Sequence, residues 1–102
     1  NARSYAVDVA DEAMEGEIRA GDRVIVDGEI QPIPGDLVIV RSHRTKRTYL
    51  RKYRALGFSP DSGELIFEAK PINQDYLSMN SESDLLQVLG VVVEHRRIRR
   101  KT

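Results

Sequence analysis

The densest group of side chains that could do chemistry is acidic and lies near the start of the chain. Asp11, Glu12, Glu15 and Glu17 all fall within one short stretch. They lie too close together in sequence to indicate the paired carboxylates of a hydrolase. We interpret them as the solvated start of a short helix, where negative charge complements the helix dipole.

Other common catalytic and binding patterns are absent from the sequence. His43 and His95 are far apart, and no cysteine or carboxylate pattern typical of zinc accompanies them. No glycine-rich nucleotide-binding motif occurs. We therefore expect no metal ion and no other cofactor, and the absence of cysteine excludes disulfides.

The stretch from Asp11 to Asp27 combines a small residue, a short helical pattern, a turn and an apolar run. Met14 and Ile18, four residues apart, are the apolar pair that one face of a short helix could bury. Gly21 and Asp22 would end that helix, since glycine adopts the positive φ that helix ends require. The β-branched run that follows predicts a buried strand.

The spacing of six residues in this stretch resembles the catalytic-domain signature of the LexA and phage CI repressor family. These residues are Met14, Ile18, Gly21, Asp22, Val24 and Val26. Members of that family carry a self-cleaving Ser-Lys peptidase domain behind a DNA-binding domain. The resemblance implies the family's fold, which is mainly β: bent antiparallel sheets with one short helix at the active site.

In the resembled family, the residue directly before this methionine is the nucleophilic serine, and here it is Ala13. Alanine has no hydroxyl, so no acyl-enzyme can form at this position. The resemblance therefore implies a peptidase that is inactive in this form, with the backbone N–H groups of Ala13 and Met14 as oxyanion donors. Either the serine was replaced deliberately to trap an uncleaved form, or a natural relative lost it.

The general base of the family is a lysine on a strand that returns from a hairpin. Simple alignment places Arg51 at this position and Lys52 one residue later, and a shift of one residue reverses the face of a strand. A guanidinium cannot release its proton, whereas a buried lysine can. We therefore favour Lys52, neutral in a dry pocket, as the base, with a bulge restoring the register. Lys70 is the weaker alternative.

Alternating and continuous apolar runs predict a succession of strands in one domain, residues 1–102. The predicted strands are Ser4–Ala10, Arg23–Asp27, Leu37–Val40, the two arms of a hairpin within Arg41–Arg54 that turns at about His43–Lys46, Glu64–Ala69, and Leu85–His95. Gly90 lies inside the last run and predicts a bend, a bulge or a close backbone approach. In the family, a comparable Gly-x-Val strand helps to form the dimer.

The segment from Lys70 to Tyr76 also resembles a family motif, which follows the hairpin that bears the base. Asn73 within it is better explained as a turn former than as a catalytic group.

Charge is distributed unevenly although its sum is zero. Residues 1–36 carry nine acids and three basic residues, a balance of −6, so the remainder carries +6. Arg41–Arg54 and Arg96–Lys101 hold most of the positive charge. Such clusters could form a nucleic-acid surface, or could let one half of the fold or one subunit meet the other. With no apolar run near the ~20 residues that span a bilayer, we expect a cytoplasmic protein.

Our first functional hypothesis is the C-terminal dimerisation and self-cleavage domain of a phage or prophage transcriptional repressor, inactive as a peptidase in this form. The DNA-binding domain and the cleavage linker would lie outside this chain. The expected partners are a second copy, a RecA-type co-protease or an antirepressor protein, and operator DNA only through the N-terminal domain.

Three alternatives remain open from the sequence. One is a vestigial-peptidase domain controlled by an antirepressor-type partner, and a second is a mutagenesis-polymerase accessory subunit of the same peptidase family. The third is a small β-barrel that binds nucleic acid through Arg41–Arg54.

Overall fold

A computed structural model describes residues 4–10 and 12–97. Asp11 and most of the basic run at residues 96–101 therefore lie outside the described residues. Within the described ranges the regular structure is all β, in seven strands: β1 Ser4–Asp8, β2 Arg23–Asp27, β3 Leu37–Ser42, β4 Arg47–Phe58, β5 Leu65–Lys70, β6 Met79–Asn80 and β7 Leu86–Arg96. No helix among these residues is long and apolar enough to cross a membrane.

The seven strands form one antiparallel sheet in the order β1-β2-β7-β3-β4-β5-β6. This confirms the predicted mainly-β class. The turn of the β3–β4 hairpin falls at residues 43–46, as predicted, and the Lys46 N–H donates to the Ser42 carbonyl at 2.8 Å. The short strand β6 is not among the strands predicted from the sequence.

Apolar side chains are buried on both faces of the sheet, because alternate residues of a strand point to opposite sides. One cluster contains Val9, Met14, Ile18, Val24, Val26, Ile39 and Leu50. The other contains Val38, Val40, Tyr53, Phe67, Ala69 and Val91. In β3, consecutive residues therefore contribute to different clusters, which explains its unbroken aliphatic run.

The predicted short helix at residues 12–18 is wrong in detail, since the described residues there form consecutive turns. The Ile18 N–H donates to the Met14 carbonyl at 2.9 Å, which closes one helical turn. Gly16 interrupts any continuation, because its φ of +114° lies far from helical values. The apolar pair Met14 and Ile18 still packs into the first cluster, so the predicted burial is confirmed.

Two Gly-Asp pairs of the sequence, Gly21-Asp22 and Gly35-Asp36, build the same hydrogen-bonded turn. In each, glycine has a φ of +95°, and the aspartate carboxylate accepts the N–H of the residue three positions earlier, Arg19 or Ile33. Each glycine N–H also donates to a carbonyl on a neighbouring segment, that of Val9 or Tyr53. The N–H of that same residue donates back to the aspartate carbonyl. Each Gly-Asp pair therefore fixes the start of the strand that follows it, β2 or β3, to a neighbouring segment.

Gly90 marks the most crowded point of β7, where a bulge lies on either side of it. The register with β3 shifts between Ile39 and Val40, and the register with β2 shifts between Ile25 and Val26. A Cβ at Gly90 would lie 2.5 Å from Cγ1 of Val26 and 2.9 Å from the carbonyl oxygen of Asp27. The predicted bulge and close approach are both confirmed, and only glycine fits without displacement of β2.

Gly90→Ala is expected to lower the free energy of unfolding by about 2–3 kcal/mol, because the added methyl group overlaps both a core side chain and a backbone carbonyl. Urea denaturation measures the change. Gln87→Ala, at an exposed position of the same strand, is the control and should change stability by less than about 0.5 kcal/mol. Equal stability of Gly90→Ala and the parent would contradict the close approach.

Asp84 joins the β3–β4 hairpin to the loop before β7. Its carboxylate accepts the Asn80 N–H at 2.9 Å and an Arg44 N–H at 2.6 Å, and its carbonyl accepts the Ser42 hydroxyl at 2.7 Å. The backbone hydrogen bond from Asn80, then that from Arg44, lowers the pKa of this carboxyl below its usual value. The charged form is therefore stabilised by folding.

Asp84→Asn is expected to lower the free energy of unfolding by about 1–2 kcal/mol at neutral pH. Because the folded pKa lies below the unfolded value, the contribution is present above about pH 4 and is lost as the pH falls through the folded pKa. Urea denaturation of both proteins between pH 2.5 and 7 should show the difference closing at the acid end. A difference that does not change with pH would rule out this role for the carboxylate.

Candidate functional site

The turn of residues 12–18 brings Ala13 to the loop after β5 and Met14 into the first apolar cluster. Ala13 and Met14 have no solvent exposure, and Met14 packs with Leu50 and Val24 in the first cluster. Directly after the turn, the buried carboxylate of Asp22 accepts the Arg19 N–H and lies 2.8 Å from Nε2 of His95 on β7. The position predicted for the nucleophile is thus fully enclosed by the fold.

The loop of residues 71–76, called the clamp loop below, binds this turn although it lies about sixty residues further along the chain. The Ala13 carbonyl accepts two N–H groups at 2.8 Å, those of Ile72 and Asn73. The Asn73 side-chain amide donates to the Glu12 carbonyl at 3.1 Å, and the Glu12 N–H donates to the Tyr76 hydroxyl at 3.4 Å. Four hydrogen bonds therefore fix residues 12 and 13 to one loop.

Asn73 has both a local and a long-range role in this clamp. Its side-chain oxygen accepts the Asp75 N–H at 2.9 Å, which is the turn-forming role expected from the sequence. Its contact with Glu12 and the whole contribution of Tyr76 were missed. The signal that could have found them is the resemblance of this segment to a family motif that follows the base-bearing hairpin.

Lys52 reaches the turn from β4 at its other end. Its Nζ lies 3.4 Å from Oε1 of Glu17, and the two side chains are 38% and 46% exposed. Lys52 is two residues from Leu50 on β4, so it shares the face that packs against Met14. This environment differs from the dry pocket expected for a neutral base, because a half-exposed lysine beside a carboxylate forms an ordinary surface ion pair.

Arg51 is the buried basic residue of the pair, with only 3% exposure. Its guanidinium lies 5.1 Å from the ring centre of Tyr49 and 5.6 Å from that of Tyr76. One of its N–H groups donates to the carbonyl of Leu50 at 2.7 Å. Through Tyr76 the guanidinium meets the clamp loop, so Arg51 and Lys52 approach the turn from different sides.

The remaining candidate base, Lys70, lies opposite Lys52 in the β4–β5 register. Its place beside a second lysine adds like charge rather than a carboxylate partner. Neither it nor Arg51 forms a hydrogen-bonded dyad with position 13, where no side-chain donor or acceptor exists. As a chemical site, the arrangement supplies a buried backbone with alanine at position 13 and two basic side chains nearby.

Asn73→Ala is expected to lower the free energy of unfolding by about 1–2 kcal/mol and to speed hydrogen exchange of the Ile72 amide, because it removes two of the bonds that order the clamp. Gln74→Ala, at the exposed neighbouring position, is the matched control and should alter neither quantity. Exchange at Ile72 that stays as slow as in the parent would show that the backbone bonds alone hold the turn.

Comparison of the sequence with protein-family models identifies the family of this domain. The model of the family described as Peptidase S24-like matches residues 1–93. Comparison with curated proteins finds no relative with significant similarity. The matched range includes the turn at Ala13, the β4 segment with Arg51 and Lys52, and the clamp loop, so the site described above lies wholly within it. The chain therefore belongs to the S24-like peptidase family, the LexA and CI type of domain.

Proposed function

We propose that the chain is the C-terminal dimerisation and regulatory domain of a phage or prophage transcriptional repressor, and that its peptidase site no longer cleaves. The observation that carries the proposal is Ala13, a fully buried residue without a hydroxyl at the position where the resembled family has its nucleophile. A serine peptidase cannot form its covalent intermediate without that oxygen.

The two basic neighbours support loss of cleavage beyond position 13. Lys52 remains our candidate for the base, but its Nζ lies 3.4 Å from Oε1 of Glu17 on an open surface and not in the dry pocket that a neutral base would need. Arg51 is buried in the position that simple alignment gives to the base, and a guanidinium cannot act as one. These features favour the vestigial form of the domain, which a protein partner of the antirepressor type would control.

A repressor role requires association of two copies, and the sheet limits how this can occur. β2 pairs with the second half of β7, Val91–Arg96, and β3 pairs on the other side with the first half, Leu86–Val91. Each edge of β7 is therefore paired along about half of its length. The face of the strand is also available, because Val93 is 50% exposed. We propose that a dimer that uses this strand, as the resemblance implies, forms through side chains on this face.

The basic hairpin gives weak support to direct nucleic-acid binding by this domain. Of the seven basic residues in Arg41–Arg54, Arg51 is buried, and Arg44, Lys52 and Arg54 form ion pairs within the chain. Three basic residues remain, fewer than the phosphate contacts of a typical specific complex. Operator contacts are better assigned to a separate N-terminal domain.

The unmodified full-length protein is expected to stay intact from pH 7 to 10 over days and to sediment as a dimer. Ala13→Ser is expected to stay intact as well, because Lys52, the favoured candidate for the base, remains in an exposed ion pair. Gel electrophoresis follows cleavage and analytical ultracentrifugation follows the oligomer. A monomer at micromolar concentration, or cleavage of the unmodified protein, would contradict the proposal.

A further variant distinguishes a site that lacks only its nucleophile from a vestigial site. Cleavage of Ala13→Ser that rises with pH and disappears in Ala13→Ser with Lys52→Ala would show that only the nucleophile was missing. That outcome would refute the vestigial form and establish Lys52 as the base.

A further inference from the structure

The outer edge of β4 beside the candidate site is open where β5 ends. β5 pairs with β4 from Lys52 to Phe58, with Lys70 opposite Lys52. Pro71 follows and the chain turns away, so that the Ile72 N–H donates to Ala13 and not to β4. Residues of β4 before Lys52 therefore pair with β3 on one side, and no strand among residues 4–10 and 12–97 pairs with them on the other.

Leu50 is the residue whose backbone points toward that open side. The Tyr53 N–H donates to the Asp36 carbonyl, directly before β3, so the backbone groups of Tyr53 face β3. Residues of an antiparallel strand alternate in the side to which they bond. Arg51 thus bonds toward β3, whereas Lys52 and Leu50 bond toward the opposite side. The pairing of Lys52 with β5 agrees with this assignment.

The Arg51 guanidinium occupies a hydrogen-bonding position on β4 that a pairing strand would use. It donates to the Leu50 carbonyl at 2.7 Å and is held between the rings of Tyr49 and Tyr76. A charged donor held by two aromatic rings is a strong competitor for that carbonyl. An incoming peptide would have to displace it before pairing with β4.

A small cleft of mainly aliphatic lining lies along the same edge. It has a volume of about 80 Å³, and its walls include Val7, Val9 and Leu50 together with the polar side chains of Asp8, Thr48 and Tyr49. An extended peptide that added a strand here would direct alternate side chains toward this cleft. The small volume and the aliphatic walls suit small aliphatic side chains.

We propose that the Arg51 guanidinium closes the outer edge of β4 beside Ala13, and that its removal opens this edge to an extended peptide with small aliphatic side chains. This inference rests on the proposed function. If the guanidinium closes this edge, the site does not bind a peptide, which gives a second reason for the loss of cleavage. The contact acts at the stage of peptide binding, before any bond is broken.

The test titrates acetyl-Ala-Ala-Ala-amide into the full isotope-labelled chain and follows the amide resonances of Thr48 and Leu50. Arg51→Met keeps the length of the side chain but removes its donors, and it should bind the peptide at least about tenfold more tightly than the parent. Arg54→Met, the same change at an exposed position of the same strand, should behave like the parent. Tyr76→Leu, which removes one ring from the guanidinium, provides a second opening variant if Arg51→Met does not fold.

Saturable shifts at Thr48 and Leu50 in an opening variant, and none in the parent and Arg54→Met, support the proposal. Equal binding by the parent and the opening variants, or no binding by any folded opening variant, overturns it. The measurement uses neither cleavage nor DNA, so a failure here is distinct from a failure of the repressor assignment, which the cleavage and sedimentation experiments decide.

Discussion

The double hydrogen bond to the Ala13 carbonyl is the constraint on which the site depends. Gly16 prevents the turn of residues 12–18 from continuing as a helix, so its own backbone supplies only isolated turn hydrogen bonds such as that from Ile18 to Met14. The missing order comes from the Ile72 and Asn73 N–H groups, which meet a fully buried carbonyl. A buried carbonyl left without donors would be costly. The site therefore exists only when the segment after β5 is in place.

Much of the fold follows from local patterns in the sequence. Alternation in Tyr5–Val9, the aliphatic run of β3 and the glycine inside β7 predicted elements that the structure contains, because period, β-branching and glycine act over a few residues. The short helix was predicted wrongly from the same kind of pattern. Its apolar spacing was correct, but the positive φ of Gly16 outweighed the helix propensity of its neighbours.

The clamp and the environment of the two basic residues could not be predicted in this way. The contacts of Glu12 with Asn73 and Tyr76 join residues about sixty positions apart, and no local period encodes them. Which of Arg51 and Lys52 is buried depends on where β5 ends and on which aromatic rings reach the open edge. The chemistry of the two side chains was foreseeable, but their exposure was not. The result is a site whose buried cation only donates hydrogen bonds, a property suited to structure rather than to proton transfer.

The position of β7 has a consequence for how the protein is made. This strand is the last of the seven described strands in the chain, yet it lies between β2 and β3 and joins the β1–β2 pair to the β3–β6 part of the sheet. A nascent chain that has not yet presented Leu86–Arg96 can form hairpins but cannot join the two halves. Completion of the sheet therefore waits until this strand leaves the ribosome. Until then the apolar faces of β2 and β3 remain exposed to the chaperones that act on unfinished chains.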